Sequence, residues 1–179
     1  MLQLDVDDED TVAPRLTTLF DALGSVEVVV VNAGINALSS VGRGELDTER
    51  RILRTNLLGA IATVDAAAAL FMPQRRGHIV AIASVAAKVA VPRQAAYCAS
   101  KAAVISYCES LRAELRGTGL RVVTISPGYV ATPLTARNPY PMPFLMQPDA
   151  FARRALRAIA AGARHRVIPW PMAIVAAVL

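Results

Sequence analysis

The stretch EVVVVNAG, Glu27–Gly34, decides the fold class, because it sets four consecutive valines between a charged residue and a short turn that ends in glycine. An uninterrupted run of β-branched residues is typical of a short strand that is buried on both faces of a parallel sheet. HIVAIAS (His78–Ser84) and RVVTISPG (Arg121–Gly128) have the same pattern, and HRVIPW (His165–Trp170) is a weaker fourth example. The sequence therefore predicts a parallel sheet of about four strands.

Helical patterns alternate with these strands. They cover Asp10–Leu23, Asp47–Met72 with a break near Gly59, Ala95–Arg116 and Pro148–Ala161. This alternation predicts an α/β fold with a doubly wound, Rossmann-like parallel sheet and right-handed crossovers. No repeat or linker divides residues 1–179, so a single domain is expected. Because ligands of such sheets bind beyond the carboxyl ends of the strands, the segments NAG, SVAAK and SPGYVATP are the places to look for function.

Composition excludes several classes of function. The net charge of +5 comes mostly from scattered arginines, and no zinc-ligand spacing or RNA-binding signature occurs, so neither nucleic acid nor a metal ion is expected as a partner. The apolar tract Ala60–Met72 is too short to span a bilayer and contains Asp65, so no membrane segment is expected. Cys98 and Cys108 face different directions on one predicted helix, which favours free thiols. Free thiols and the lack of a signal-peptide pattern predict a cytoplasmic location.

A second stretch, YCASKAAVIS (Tyr97–Ser106), places a phenol and one of the chain's two lysines four residues apart at the start of a predicted helix. Such pairs also occur for plain structural reasons. Their chemistry suits proton transfer, because reduction of a carbonyl by hydride needs a proton donor at the oxygen, and a tyrosine with a pKa of about 10 is a poor base at neutral pH. Lys101 is expected to lower the pKa of Tyr97 by its positive charge, and Ser84 to hold the substrate oxygen against the tyrosine hydroxyl.

Five motifs, in order and at consistent spacing, resemble the short-chain dehydrogenase/reductase family of classical type over nearly the whole chain. Each motif alone is a weak signal, whereas the ordered set is specific. The motifs are Asn32-Ala33-Gly34 after the first predicted strand, Asn56 within TNLLG, Ser84 at the end of the second strand, the Tyr97/Lys101 pair, and PGYVAT after the third strand.

The resemblance implies an oxidoreductase that uses NAD or NADP to interconvert a small-molecule alcohol and a carbonyl compound by hydride transfer, with Tyr97 as proton donor or acceptor. The implied catalytic residues are Asn56, Ser84, Tyr97 and Lys101. The implied cofactor-binding residues are Asp5, Asn32, Ala33, Gly34, Tyr97, Lys101, Pro127, Gly128, Val130 and Thr132.

Individual roles follow from the same resemblance. It implies that Asn56 positions a water that links Lys101 to solvent, and that Lys101 also reaches the ribose hydroxyls of the cofactor. It implies that Thr132 and the backbone around Val130 contact the carboxamide. Asp5 would contact the adenine; its alternative role is that of one of several acids at the N-terminus of a helix.

A glycine-rich turn after a strand, which a dinucleotide site needs for the pyrophosphate, is missing from the sequence: GRGELD follows no strand, and GTGLRV precedes one. We therefore expect a chain that is truncated at its N-terminus relative to the family, by two strand–helix units. Val28–Val31 would then be an edge strand, and Leu2–Val6 a remnant of the family's third strand without a neighbour.

Two interpretations of the chain stay open at this point. It represents either a nicotinamide-dependent oxidoreductase that was cut or recorded from too late a start, or a non-catalytic remnant that acts, if at all, by pairing with other subunits. The choice between NAD and NADP, the substrate and the reaction direction are equally open.

The predicted helix Leu57–Met72 is apolar nearly all round, which favours a contact with a second copy of the chain and hence a homo-oligomer; the alternative is burial within one chain. Tyr129, Tyr140 and the stretch NPYPMPFLM fall where the family closes over its substrate. They suit either an apolar pocket wall or packing against the sheet.

Overall fold

The valine run forms a strand as predicted. The computed structural model describes residues 2–136 and 138–178. Its strands are β1 (Val28–Val31), β2 (Gly77–Ile82), β3 (Leu120–Pro127) and β4 (His165–Ile168), and they pair in parallel in the order β1-β2-β3-β4. The carboxyl ends of all four strands therefore meet at one end of the sheet, where a ligand is expected.

The helices also lie close to their predicted positions. They are α1 (Glu9–Leu23), α2 (Leu46–Leu53), α3 (Gly59–Phe71), α4 (Ala95–Glu114), α5 (Pro148–Ala160) and α6 (Pro171–Val178). The predicted break near Gly59 is wrong, because a π-helical turn, Arg54–Leu58, joins α2 to α3 without interruption. Gly59 instead allows a close contact: a Cβ at this position would lie 2.8 Å from the backbone oxygen of Val6.

The two faces of the sheet are covered by different helices, which confirms the doubly wound architecture. On one face, Ile79 of β2 packs in a core with residues of α3 and α4. On the other face, Val80 packs in a core with residues of α5. Because successive side chains of a strand point to opposite faces, a strand between two such cores must be apolar at every position.

α1 covers part of the outer surface of α3 within the same chain. Val12 and Leu16 of α1 pack against Ala66 of α3. The apolar surplus of α3, from which a contact with a second copy was inferred, is thus partly explained by burial within one chain. Leu58 and Met72 nevertheless remain exposed, at 46% and 44% of their surface.

Two expectations from composition have different outcomes. Cys98 and Cys108 are both free thiols, as predicted. The length argument against a membrane segment is wrong, because α2, the π-helical turn and α3 form one helix of 26 residues, Leu46–Phe71, whose length and composition would allow it to cross a membrane. Half of its most apolar stretch is buried inside the chain.

β1 is an edge strand, as predicted, since it pairs with β2 on one side and with no other described strand. Val28 and Val30 are 41% and 49% exposed. Residues 2–6 form no strand, although Leu4 and Val6 border a small depression together with Val31. An extended segment without a neighbouring strand has no ladder of hydrogen bonds to hold it.

Candidate active site

Ser84 lies just beyond β2, at the carboxyl end of the sheet. β2 ends at Ile82, and the backbone N–H of Ala83 still donates to Ile125 of β3 at 2.8 Å, so the chain leaves the sheet at the next residue. The Ser84 hydroxyl accepts a hydrogen bond from the N–H of Ala86 at 3.1 Å and thereby caps a short 3-10 turn. Since its oxygen accepts this bond, its proton is left to donate to another group.

Tyr97 lies in the first turn of α4 and lines the same cavity as Ser84. Burial raises the pKa of the Tyr97 hydroxyl, while its hydrogen-bonding contact with Ser84 lowers it and the Cys98 thiol raises it further. The net direction is upward. Tyr97 is therefore protonated at neutral pH and can donate a proton.

Lys101 lies one turn further along α4 and is only 5% exposed. Its ammonium donates to the backbone oxygen of Ile82 at 2.9 Å and lies 5.9 Å from the centre of the Tyr97 ring. Burial lowers the pKa of Lys101 to about 8. The predicted effect of Lys101 on Tyr97 is not confirmed, because the pKa of Tyr97 is raised by its own burial.

Asn56 is held by three hydrogen bonds at the π-helical turn and is 1% exposed. Its side-chain oxygen accepts from the N–H of Ile35 at 2.8 Å, and its side-chain nitrogen donates to the Ile35 carbonyl at 2.9 Å and to Ser100 Oγ at 3.2 Å. Gly34 brings this group next to Lys101: a Cβ on Gly34 would lie 3.3 Å from Asn56 Oδ1 and 3.4 Å from Lys101 Nζ. The four predicted catalytic residues thus lie around one point of the fold.

The cavity above Ser84 and Tyr97 has a volume of about 310 Å³. Its wall is mostly apolar and includes Leu134, Met172 and Val175. Tyr129 also lines it, whereas the hydroxyl of Tyr140 donates to the Pro92 carbonyl at 3.0 Å. A mostly apolar cavity with a few converging polar groups is the usual form of a small-molecule site.

The predicted cofactor residues fall into two groups by location. Gly34, Tyr97, Lys101 and Gly128 lie at the catalytic residues or line the cavity. The others lie around it: Asn32 and Ala33 are exposed after β1, Pro127 ends β3, Val130 bridges to Met146, and the Thr132 N–H donates to Thr135 Oγ1.

Asp5 lies apart from these residues. It is exposed, and its carboxylate accepts from the N–H of Asp7 at 3.0 Å in a tight turn before α1. This contact matches its alternative role near a helix N-terminus.

The described residues fit one end of a dinucleotide. Lys101 Nζ donates to one described acceptor, the Ile82 carbonyl, so its other protons are left for a hydroxyl group such as those of a ribose. Among residues 2–136 and 138–178, no glycine-rich turn follows a strand, so this part of the chain holds no backbone cradle for the pyrophosphate.

Sequence reasoning missed three contributors to the site. Ser100 Oγ donates to the Tyr97 carbonyl at 2.7 Å and accepts from Asn56, so it ties the start of α4 to the π-helical turn. Gln94 Oε1 accepts from Asn36 Nδ2 at 3.0 Å, and both side chains line the cavity. Two features of the sequence could have indicated these residues: Ser100 is next to Lys101, and Gln94 is three residues before Tyr97.

Comparison with known proteins identifies the family. The family model described as short chain dehydrogenase matches residues 1–141. An uncharacterized oxidoreductase of Myxococcus xanthus is 38% identical over 173 residues, which are 97% of this chain and 68% of the relative.

Solved structures agree with this assignment. A short-chain type dehydrogenase/reductase from Mycobacterium marinum matches with a TM-score of 0.83 and 28% identity, over 93% of this chain and 72% of its own. A gluconate 5-dehydrogenase from Burkholderia cenocepacia in complex with NADP and tartrate matches with a TM-score of 0.71 and 28% identity, over 74% and 52% of the two chains. An NAD⁺-bound xylitol dehydrogenase matches with a TM-score of 0.68 and 32% identity, over 72% and 50%.

The chain thus spans about two thirds of its Myxococcus relative and between half and three quarters of these structures. The match over residues 1–141 and the identity to this relative show that the chain belongs to the short-chain dehydrogenase family.

Proposed function

We propose that the chain carries the catalytic residues of an NAD- or NADP-dependent oxidoreductase that interconverts an alcohol and a carbonyl compound, with Tyr97 as the proton donor or acceptor. The observation that carries this proposal is the shared cavity of Ser84 and Tyr97, with Lys101 buried beside the tyrosine ring. Structural neighbours with NADP and NAD⁺ support the class of cofactor.

In the proposed reaction, a bound nicotinamide supplies or accepts the hydride. Ser84 donates a hydrogen bond to the substrate oxygen and holds it at the Tyr97 hydroxyl. Tyr97, whose raised pKa keeps it protonated, transfers its proton to that oxygen as the alcohol forms. Lys101, with a pKa of about 8, stabilises the resulting phenolate by its charge and can supply the replacement proton near neutral pH.

The wider setting of this activity is part of the same proposal. We infer that the protein acts in the cytoplasm, since its two cysteines are free thiols. We also infer a homo-oligomer, which the exposed Leu58 and Met72 on the long helix support. Light scattering of the purified chain tests the latter: a monomer at all concentrations would contradict it.

Cofactor binding and turnover test the catalytic proposal. Calorimetric titration of the purified chain with NADH and with NADPH should detect weak binding, because the described residues offer the pyrophosphate no backbone cradle. Absorbance should report oxidation of the bound form by a panel of ketones and aldehydes. Tyr97→Phe should lose turnover at least a hundredfold, because it removes the proton donor and leaves the ring.

Tyr107→Phe is the matched control, since Tyr107 lies on the same helix and packs against the core away from the cavity. It should keep full turnover. A chain that binds neither cofactor, or a Tyr97→Phe variant as active as the control, would contradict the catalytic proposal and favour a non-catalytic, pairing subunit.

A further inference from the structure

The cavity is lined by a second polar group besides the hydroxyls of Ser84 and Tyr97. Asn36 Nδ2 donates to Gln94 Oε1 at 3.0 Å, and Gln94 is only 7% exposed. Most of the other described lining residues are apolar and none is charged. A buried amide pair in such a wall is costly to keep unless its remaining donors and acceptors are used.

The amide pair is held in place by contacts around it. The N–H of Ser39 donates to the Arg93 carbonyl at 2.9 Å, and the Ser39 hydroxyl donates to Glu49 at 2.9 Å. The first bond fixes the loop that carries Asn36 against the segment that carries Gln94, and the second joins the same loop to α2. The backbone near Asn36 and the backbone near Gln94 therefore hold the two side chains next to each other.

Gln94 is not needed for the helix it precedes. It occupies the N-cap of α4, where a side chain commonly accepts a hydrogen bond from the first helical turn, but its side chain makes no such bond. Its oxygen is taken by Asn36, and its Nε2 group donates to no partner within the described part of the chain. The side-chain oxygen of Asn36 is likewise buried without a described partner.

The position of Gln94 relative to Tyr97 limits which ligands can contact Gln94. Residues three apart at a helix start lie on one face, with about 5–6 Å between their Cβ atoms. Both side chains line one cavity. A ligand group at Gln94 is therefore only a few bonds away from an oxygen at Tyr97.

We propose that the Asn36–Gln94 pair is a second polar subsite, and that the substrate carries a second, uncharged oxygen close to its reacting carbon, as in an α-hydroxyketone or a vicinal diol. Gln94 donates to that oxygen, and Asn36 acts as a positioning residue that holds Gln94. This inference rests on the proposed oxidoreductase function, because it takes the oxygen at Tyr97 to be the reacting one.

Ligand selectivity tests the subsite. The probes are cyclohexanone, its α-hydroxy derivative and an α-keto acid of similar size. Dissociation constants are measured by ligand-observed NMR with the full chain and an excess of NAD⁺ or NADP⁺, which cannot reduce the ketones, and oxidation of NADH and NADPH is followed separately. The wild type should bind the hydroxyketone about tenfold more tightly than cyclohexanone, as expected for one additional hydrogen bond, and should bind the keto acid more weakly than either.

Substitutions then assign the selectivity to the pair. Gln94→Met keeps the length of the side chain and should reduce the tenfold ratio to about one. Asn36→Leu should reduce it in part, through a higher KM for the hydroxyketone at an unchanged kcat. Gln74→Met, at an exposed glutamine, is the matched control and should keep the wild-type ratio.

Three results would overturn the subsite: a wild type that does not discriminate, a ratio that survives Gln94→Met, or preferred binding of the keto acid. Failure of the catalytic proposal looks different. In that case the hydroxyketone binds with the expected selectivity, which Gln94→Met removes, but neither NADH nor NADPH is oxidised.

Discussion

Replacement of Lys101 by methionine should make the chain more stable at neutral pH while it destroys the site. Lys101 has an ordinary pKa of 10.5 in the unfolded chain and about 8 in the folded one, because burial disfavours its charge. Each unit of pKa is worth about 1.4 kcal/mol, so the buried charge costs the folded state about 3 kcal/mol below pH 8. Methionine removes this cost together with the hydrogen bond to Ile82, which is worth about 1 kcal/mol. The net gain below pH 8 is about 2 kcal/mol.

The difference in stability between Lys101→Met and the wild type should change with pH. Between pH 8 and 10.5 the unfolded chain holds a proton on Lys101 that the folded chain has lost, so the stability of the wild type rises with pH across this window. The stability of Lys101→Met should not rise with pH in this way. Its advantage over the wild type should therefore shrink by about 3 kcal/mol and reverse to a deficit of about 1 kcal/mol above pH 10.5.

Urea unfolding followed by circular dichroism at both ends of the window measures the difference. Cys108, whose pKa burial raises, is present in both proteins and cancels from the comparison. Lys88→Met, at the exposed second lysine, is the matched control and should follow the wild type. If Lys101→Met and the wild type showed the same slope against pH, Lys101 would not be a buried charge.

Three further substitutions test the packing that supports the site. Phe71→Ala removes a fully buried ring and should lower the free energy of unfolding by about 3–5 kcal/mol in urea titration; a loss below about 1 kcal/mol would contradict the observed burial. Asn56→Ala leaves the N–H and carbonyl of Ile35 without partners and should cost about 2–4 kcal/mol, whereas no change in the urea midpoint would mean that water replaces the amide freely. Gly119→Ala places a Cβ against the Arg75 carbonyl oxygen at a φ of +94°, so the variant should unfold at least about 10 °C earlier in a thermal scan, and wild-type melting would disprove the contact.

The strands could be predicted from sequence because their signal is local. Gly77–Ile82 lies between helices on both faces, and the edge strand Val28–Val31 pairs with it. Both contain a run of mainly apolar, β-branched residues that predicts a strand. Gly59 was misread as a helix break because its function is a contact with Val6, more than fifty residues away in sequence. Residues 2–6 were likewise expected as a strand, but extended structure needs a partner that their own sequence does not supply.

The placement of the site was predictable, and its electrostatics were not. Ser84, Tyr97 and Lys101 meet because the ends of parallel strands and the start of the next helix must meet. The direction of the Tyr97 pKa depends on how deeply the surrounding wall buries it, which no spacing of residues encodes. The Asn36–Gln94 hydrogen bond joins residues that are 58 positions apart in the sequence, so no local sequence pattern predicts it.

The π-helical turn at Arg54–Leu58 limits which insertions and deletions this part of the chain can tolerate. The wider turn sets the angular phase between α2 and α3, and Ile52 of α2 faces inward at 1% exposure. Loss of a single codon there would restore regular helical winding and rotate α2 by about 100° against α3. Such a deletion would turn Ile52 of α2 out of the interior even where it removes no residue of the site, so geometry constrains the length of this segment.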